Sequence, residues 1–258
     1  GRRKTIKKIF FTSCWILAGC GFLVLLVAAS MKQKVRQVQE HPEIVIAHDE
    51  EVYFIDKQEV EAAIAMVMEK PLPAHSVSAL DLEQIERSIK GNPYTSEVEV
   101  YTDAQGKLGV HVKQRQPIVR VINRSGVSYY LDQNGEKIPI TGKFTSRVPV
   151  ATGVYFDETG DTGPVLTEEL KNLHKLALYI HSHDVLKALT EQVYLNEKRE
   201  FEIISKIGHH SVLLGSVDDL EKKFDRLLLF YAEVLPKKGW NNYKELDVRF
   251  ENQIVAKK

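Results

Sequence analysis

The sequence predicts an α+β protein with three parts. An N-terminal transmembrane helix comes first, then a small domain of two helices on a sheet, then a β-rich domain with packed helices. Three observations predict this. Ile9 to Met31 is a run of 23 positions without a charge. Two stretches then repeat apolar residues with a helical period before the period switches to two. From residue 123 onward, short alternating runs between turn residues dominate.

The uncharged run is long enough, at about 1.5 Å per residue, to cross a hydrocarbon core of about 30 Å. Backbone in lipid must satisfy itself, so the run is helical. Arg2, Arg3, Lys4, Lys7 and Lys8 precede it, and Lys32, Lys34 and Arg36 follow. The larger leading cluster makes 1–8 a cytoplasmic tail, 9–31 the span and 32–40 a linker on the far side. Val27-Ala28-Ala29 would also suit a signal peptidase, but a cleaved signal carries an apolar run of only about 7–15 residues.

Charge and cysteine narrow the function. Eight of the 35 Lys/Arg lie in residues 1–36, which hold no acid. That leaves 27 bases against 35 acids, a net of −8, for the rest. So acidic an exported part argues against nucleic-acid binding. Both cysteines, Cys14 and Cys20, fall in the span. The exported part therefore has no thiolate metal site, no cysteine nucleophile and no disulfide, and folds on its apolar core.

The first domain covers 41–122. Pro42 breaks the preceding segment. Glu43–Ala47 and Glu51–Ile55 read as strands. Asp56 and Glu59 form a capping box, and Val60, Ala63, Ile64, Val67 and Met68 line one helix face. A second helix opens at Asp81 and turns Leu82, Ile85 and Ile89 inward until Gly91 stops it. Val98 and Val100, then Leu108, Val110 and Val112, alternate with polar residues around a turn at 103–106, which predicts a hairpin.

The second domain covers 123–258. Asn134-Gly135 between 129–131 and 137–140 predicts a hairpin with a type I′ turn. Residues 147–151 form a short strand and 157–164 a polar loop. A helix spans 167–180, with a short helical turn over 184–190. Strands at 192–196, 201–206 and 211–214 form a meander. Ser216 to Asp219 caps a helix whose apolar face is Leu220, Phe224, Leu227, Leu228, Tyr231 and Leu235. Pro236 and Gly239 close it. Leu246, Val248 and Phe250 alternate with Asp247, Arg249 and Glu251, so 243–255 is the last strand.

Motifs for catalysis, phosphate cradles and dinucleotides are absent from the sequence. His181 and His183 lack a clear third metal ligand, and a histidine at a helix C-terminus is favourable by itself. His209-His210 suits a turn between strands. Asp157, Glu158 and Asp161 lack calcium-loop spacing. No catalytic residue, cofactor, metal or small-molecule substrate is expected.

Four segments in this order resemble the FtsQ/DivIB family of bacterial cell-division proteins, and the first domain resembles a POTRA domain. They are KQRQP at 113–117, YYLDQNG at 129–135, VLLGSVDDLEKKF at 212–224 and LDVRFENQ at 246–253. The resemblance implies a non-enzymatic scaffold of the division complex in the bacterial cytoplasmic membrane, enriched at the septum. Its partners would be bitopic proteins of the FtsB/FtsL type, bound along the edge of the last strand. That places Tyr243, Leu246, Val248, Arg249, Phe250, Asn252 and Ile254 at the contact. A free strand edge suits such a role, because its unpaired N–H and C=O groups accept a further strand. The competing expectation is an anchored assembly factor or envelope enzyme of another family.

Overall fold

The computed structural model describes residues 20–28, 38, 41–47, 52–68, 71–72, 75–153, 155–156, 162–165 and 167–258. Contacts divide the chain into two units. One holds the chain up to Ala47 together with Ile55–Lys113; the other holds His48–Phe54 with Gln114–Lys258. Of the expected span, 20–28 are helical and exposed; 9–19 and 29–31 lie outside the described residues. Among the described residues no helix is long and apolar enough to cross a membrane.

The first unit is a three-stranded sheet with order β1-β3-β2 under two helices. The strands are β1 (Glu43–Ala47), β2 (Thr95–Thr102) and β3 (Leu108–Gln114). The helices are α1 (Lys57–Val67) and α2 (Leu82–Lys90). The capping box forms as expected: Glu59 N–H donates to Asp56 Oδ1 at 2.9 Å, and Asp56 N–H to Glu59 Oε2 at 3.1 Å. Val60, Ile64, Ile85 and Ile89 are buried with Leu108, Val110 and Val112, so both helices cover one face of the sheet.

Residues 51–55 were expected as a strand of this unit; 51 lies outside the described residues, and 52–55 form no strand. Gln114 takes their place in the hydrogen-bond plan: Phe54 N–H donates to its Oε1 at 2.7 Å, and its Nε2 donates to Val52 O at 3.1 Å. Phe54 packs on Tyr130 and Phe144, with ring centroids 6.0 and 5.1 Å away. Val52 and Phe54, two of the apolar side chains that suggested a strand, are buried in the second unit.

The second unit is a ten-stranded mixed sheet, ordered β13-β12-β11-β10-β9-β7-β4-β5-β6-β8. Its first half is β4 (Pro117–Ile122), β5 (Ser128–Asp132), β6 (Glu136–Pro139), β7 (Val150–Gly153) and β8 (Gly163–Pro164). Its second half is β9 (Thr190–Leu195), β10 (Phe201–Ser205), β11 (Ser211–Gly215), β12 (Glu245–Asp247) and β13 (Val255–Lys257). β4, which the sequence reading gave to the first domain, is hydrogen-bonded here between β5 and β7.

Register explains the core. Tyr129, Val121, Ala151, Val193, Ile203, Val212 and Leu246 lie opposite one another across seven strands. All are buried. Against this row lie Leu170, Leu173 and Ala177 of α3 (Glu168–His181) and Phe224, Leu227 and Tyr231 of α5 (Leu220–Glu233). Two shorter helices, α4 (Asp184–Leu189) and α6 (Leu235–Lys238), complete this layer.

Two local expectations change. The β5–β6 turn has positive φ at Gly135 alone, not at Asn134. Asp132 Oδ1 accepts from both Asn134 N–H and Glu136 N–H at 2.8 Å, and this side-chain turn replaces the expected type I′ geometry. Asp219 precedes α5 with φ 49° and makes no side-chain capping bond.

Candidate partner-binding edge

The expected strand 243–255 is two short strands and a turn. β12 is only Glu245–Asp247, parallel to β11. Val248 still donates its N–H to Leu213 O at 3.1 Å. The chain then turns, with Asn252 at φ 59°, and returns as β13, antiparallel to β12. Period-two alternation ran over this turn because Val248 and Phe250 kept the rhythm. The polar triplet at 251–253 and the tolerance of Asn for left-handed backbone were the signals against it.

β13 is therefore the edge of the sheet. Lys257 O accepts from Lys244 N–H at 2.8 Å. Alternation along an antiparallel strand then turns the N–H and C=O of Ala256 away from β12. Lys257 and Glu245 form an ion pair across the two strands.

The seven expected contact residues separate. Leu246 and Val248 are fully buried and support the edge from beneath. Tyr243 is half-buried, edge-on to Phe230 at 5.6 Å. Ile254 is half-buried against the core. Phe250 is 45% exposed at the turn, beside exposed Asn252. β13 runs on to Ala256 and Lys257, beyond the expected end of the strand at 255.

Arg249 ties the turn down. It holds Asp247 on one side, and on the other its Nη1 lies 3.0 Å from both Glu200 oxygens. Its stem fills the space over Gly215, where a Cβ would lie 3.0 Å from Arg249 Cγ and Cδ. From below, Arg226 donates to Val248 O at 3.0 Å.

Comparison with known proteins bears on this arrangement. A family model described as FtsQ/DivIB, C-terminal related, matches residues 116–257. The chain belongs to the FtsQ/DivIB family. A model described as a POTRA-like domain matches residues 37–113. The chain is 29% identical over 181 residues to Cell division protein FtsQ of Geotalea daltonii, covering 69% of this chain and 64% of that protein. It is 26% identical over 190 residues to FtsQ of Geobacter sp. strain M21, covering 72% and 67%. It is 26% identical over 184 residues to FtsQ of Rhodothermus marinus, covering 69% and 66%. The matches thus span about two thirds of the relatives' length, and just under that for the first.

In this FtsQ/DivIB chain the edge carries a fixed charge pattern. The Arg249 guanidinium holds the Asp247 carboxyl below its usual range, and Asp247 in turn raises Arg249. Both stay charged near neutrality. Among the described residues no group of three or more His, Cys, Asp or Glu is placed to hold a metal ion. His181 Nε2 lies 3.2 Å from Gln133 Nε2, and His183 Nδ1 lies 2.7 Å from Tyr179 O. His183 thus serves the end of α3, and His181 ties that end to the β5–β6 turn.

Proposed function

We propose that this chain is a non-enzymatic scaffold of the bacterial division complex that binds an FtsB/FtsL-type bitopic partner by strand addition at β13. It is anchored in the cytoplasmic membrane through residues 9–31, the chain beyond the span lies outside the cytoplasm, and it gathers at the septum. The observation that carries the reading is the outward backbone of Ala256 at the end of a ten-stranded sheet. An added strand satisfies those groups. Phe250 on the adjoining turn supplies an apolar anchor, and such aromatic anchors concentrate binding energy.

The test is copurification of the full chain with the FtsB/FtsL-type pair of the same organism, wild type against Ala256→Pro. Proline there removes one outward donor and leaves the β12–β13 ladder intact. Val248→Pro is the wrong probe, since Val248 N–H serves Leu213 inside the sheet. Loss of the pair from a folded Ala256→Pro chain supports strand addition. Retention moves the interface away from β13, and no binding by the wild type removes the partner assignment.

A further inference from the structure

His210 stands one residue before β11 and is fully buried. Its Nε2 shares a 2.8 Å hydrogen bond with the Tyr231 hydroxyl of α5, and its ring stands edge-on to Tyr231 at 5.5 Å. Trp240 packs on the same tyrosine at 5.4 Å. His210 Nδ1 is buried without a partner among the described residues. It lies at the seam between the 206–209 turn and the backbone of Trp240: a Cβ on Gly208 would sit 3.1 Å from Nδ1 and collide with Trp240 O.

The sheet edge is built from this spot. His210 O accepts from Ser205 N–H at 3.1 Å, Ser211 N–H donates to Lys244 O at 2.9 Å, and Lys244 N–H donates to Lys257 O at 2.8 Å. Residues 240–244 therefore cover the histidine and also lead into β12. Among the described residues no carboxylate answers a charge on this ring, and burial alone lowers its pKa. Tyr231 on α5 is kept neutral, because burial raises its own pKa. Ser205 on β10 is uncharged and gives its hydroxyl to Ile207 O. Lys206, His209 and Lys244 are exposed, and Glu245 on β12 pairs with Lys257.

We propose that His210 is a pH-sensitive latch under the partner edge: when it takes a proton, residues 240–244 lift from the seam and β12 and β13 loosen with them. An imidazolium carries an N–H on both nitrogens. A buried charge whose N–H lacks an acceptor is costly. Local opening at the seam brings water to Nδ1 without unfolding the whole unit. The strands that open are the ones tied to Ser211 and Lys244. The proposal rests on β13 as the partner edge and adds its regulation: the edge is ready near neutrality and is released in acid.

The test follows amide hydrogen exchange of the full chain at about pH 7.5 and about pH 5, corrected for the intrinsic pH dependence of exchange, together with binding of the bitopic partner pair at both. In the wild type, opening at Ser211 and Lys244 is expected to rise in acid by up to about thirtyfold, the ratio gained by a group of pKa about 6.5 when only the open form takes the proton. The pair is expected to bind more weakly in step. His210→Gln keeps a polar side chain that does not titrate, and is expected to open and bind alike at both pH values. His209→Gln, at the exposed neighbour, keeps the wild-type response. If His210→Gln does not fold, the wild-type ring decides: its titration by NMR must coincide with the opening of Ser211 and Lys244. Three results overturn the proposal: no rise in opening in acid, an equal rise in His210→Gln, or a rise that leaves partner binding unchanged. Failure of the pair to bind near neutrality removes the partner reading instead, and exchange still decides the latch.

Discussion

Arg249 reaches back to Asp247, two residues earlier, and closes a fork on its carboxylate: Nε to Oδ1 at 2.9 Å and Nη2 to Oδ2 at 2.7 Å. Its own N–H adds a third bond to Oδ1 at 3.1 Å. Two residues apart on a flat strand would point the same way and run on in parallel. Here the later one folds over the earlier one, and the strand ends.

Asp247→Asn is expected to keep the fold and loosen the edge. The loss should be about 1.5–3 kcal/mol, the scale for hydrogen bonds to charged groups, with faster exchange of the β13 amides. The pH dependence follows from the direction of the shift. Arg249 holds the Asp247 pKa down in the folded state, so its contribution is present above the unfolded value of about 3.9. It is lost as pH falls through the lower, folded value. Acid titration of stability below about pH 4 should be shallower for the Asn variant than for wild type.

Arg226→Met tests the support from below. The substitution keeps an unbranched stem and deletes the donor to Val248 O. Denaturant unfolding should show a loss of about 1–2 kcal/mol. Partner binding should weaken with it, because the turn bearing Phe250 starts at Val248. Unchanged exchange at Val255–Lys257 would show that the turn does not depend on Arg226.

Phe54→Ala tests the anchor of residues 52–54. Phe54 is 1% exposed, and truncating a buried Phe costs about 3–5 kcal/mol. The cost should fall on the unfolding transition of the second unit, read from tryptophan fluorescence at Trp240, which lies in that unit. A transition unmoved by the substitution would detach 52–54 from the β-rich core.

His210 sets a second pH dependence. It is 0% exposed, and its Nε2 shares a 2.8 Å hydrogen bond with the Tyr231 hydroxyl. Its Nδ1 is buried without a partner among the described residues. Burial lowers its pKa and raises that of Tyr231. The unfolded chain therefore binds a proton near pH 6.5 that the folded chain refuses. The contribution of His210 is complete above that pH and declines as pH falls through it. His210→Gln should flatten the stability curve below about pH 6.5 in thermal melts.

Local chemistry explains which elements were legible. The α1 capping box, the end of α2 at Gly91 and the alternation of β2 and β3 depend on neighbours within a few residues, and each formed as the sequence reads. The buried faces of α3 and α5 follow from a 3.6-residue period. His210 was read as a turn residue because His209, its neighbour, does occupy the turn with φ 51°. One residue of offset separates an exposed turn position from a buried strand start, and periodicity does not resolve that offset.

Residues 51–55 and 243–255 mark the boundary between the two kinds of information. In both, composition announced apolar residues that had to be buried, and that was correct for Val52, Phe54, Leu246 and Val248. Whether those residues pair as strands was set by groups distant in sequence. Gln114 takes the backbone of Val52 and Phe54 from 62 and 60 residues away, and Glu200 reaches Arg249 from 49 residues away. The sequence by itself determined the family, the α+β class and the burial pattern, because these rest on local period and on an ordered set of segments. The tertiary structure alone decided that β13 is the edge, because an edge is defined by which strand lacks a neighbour.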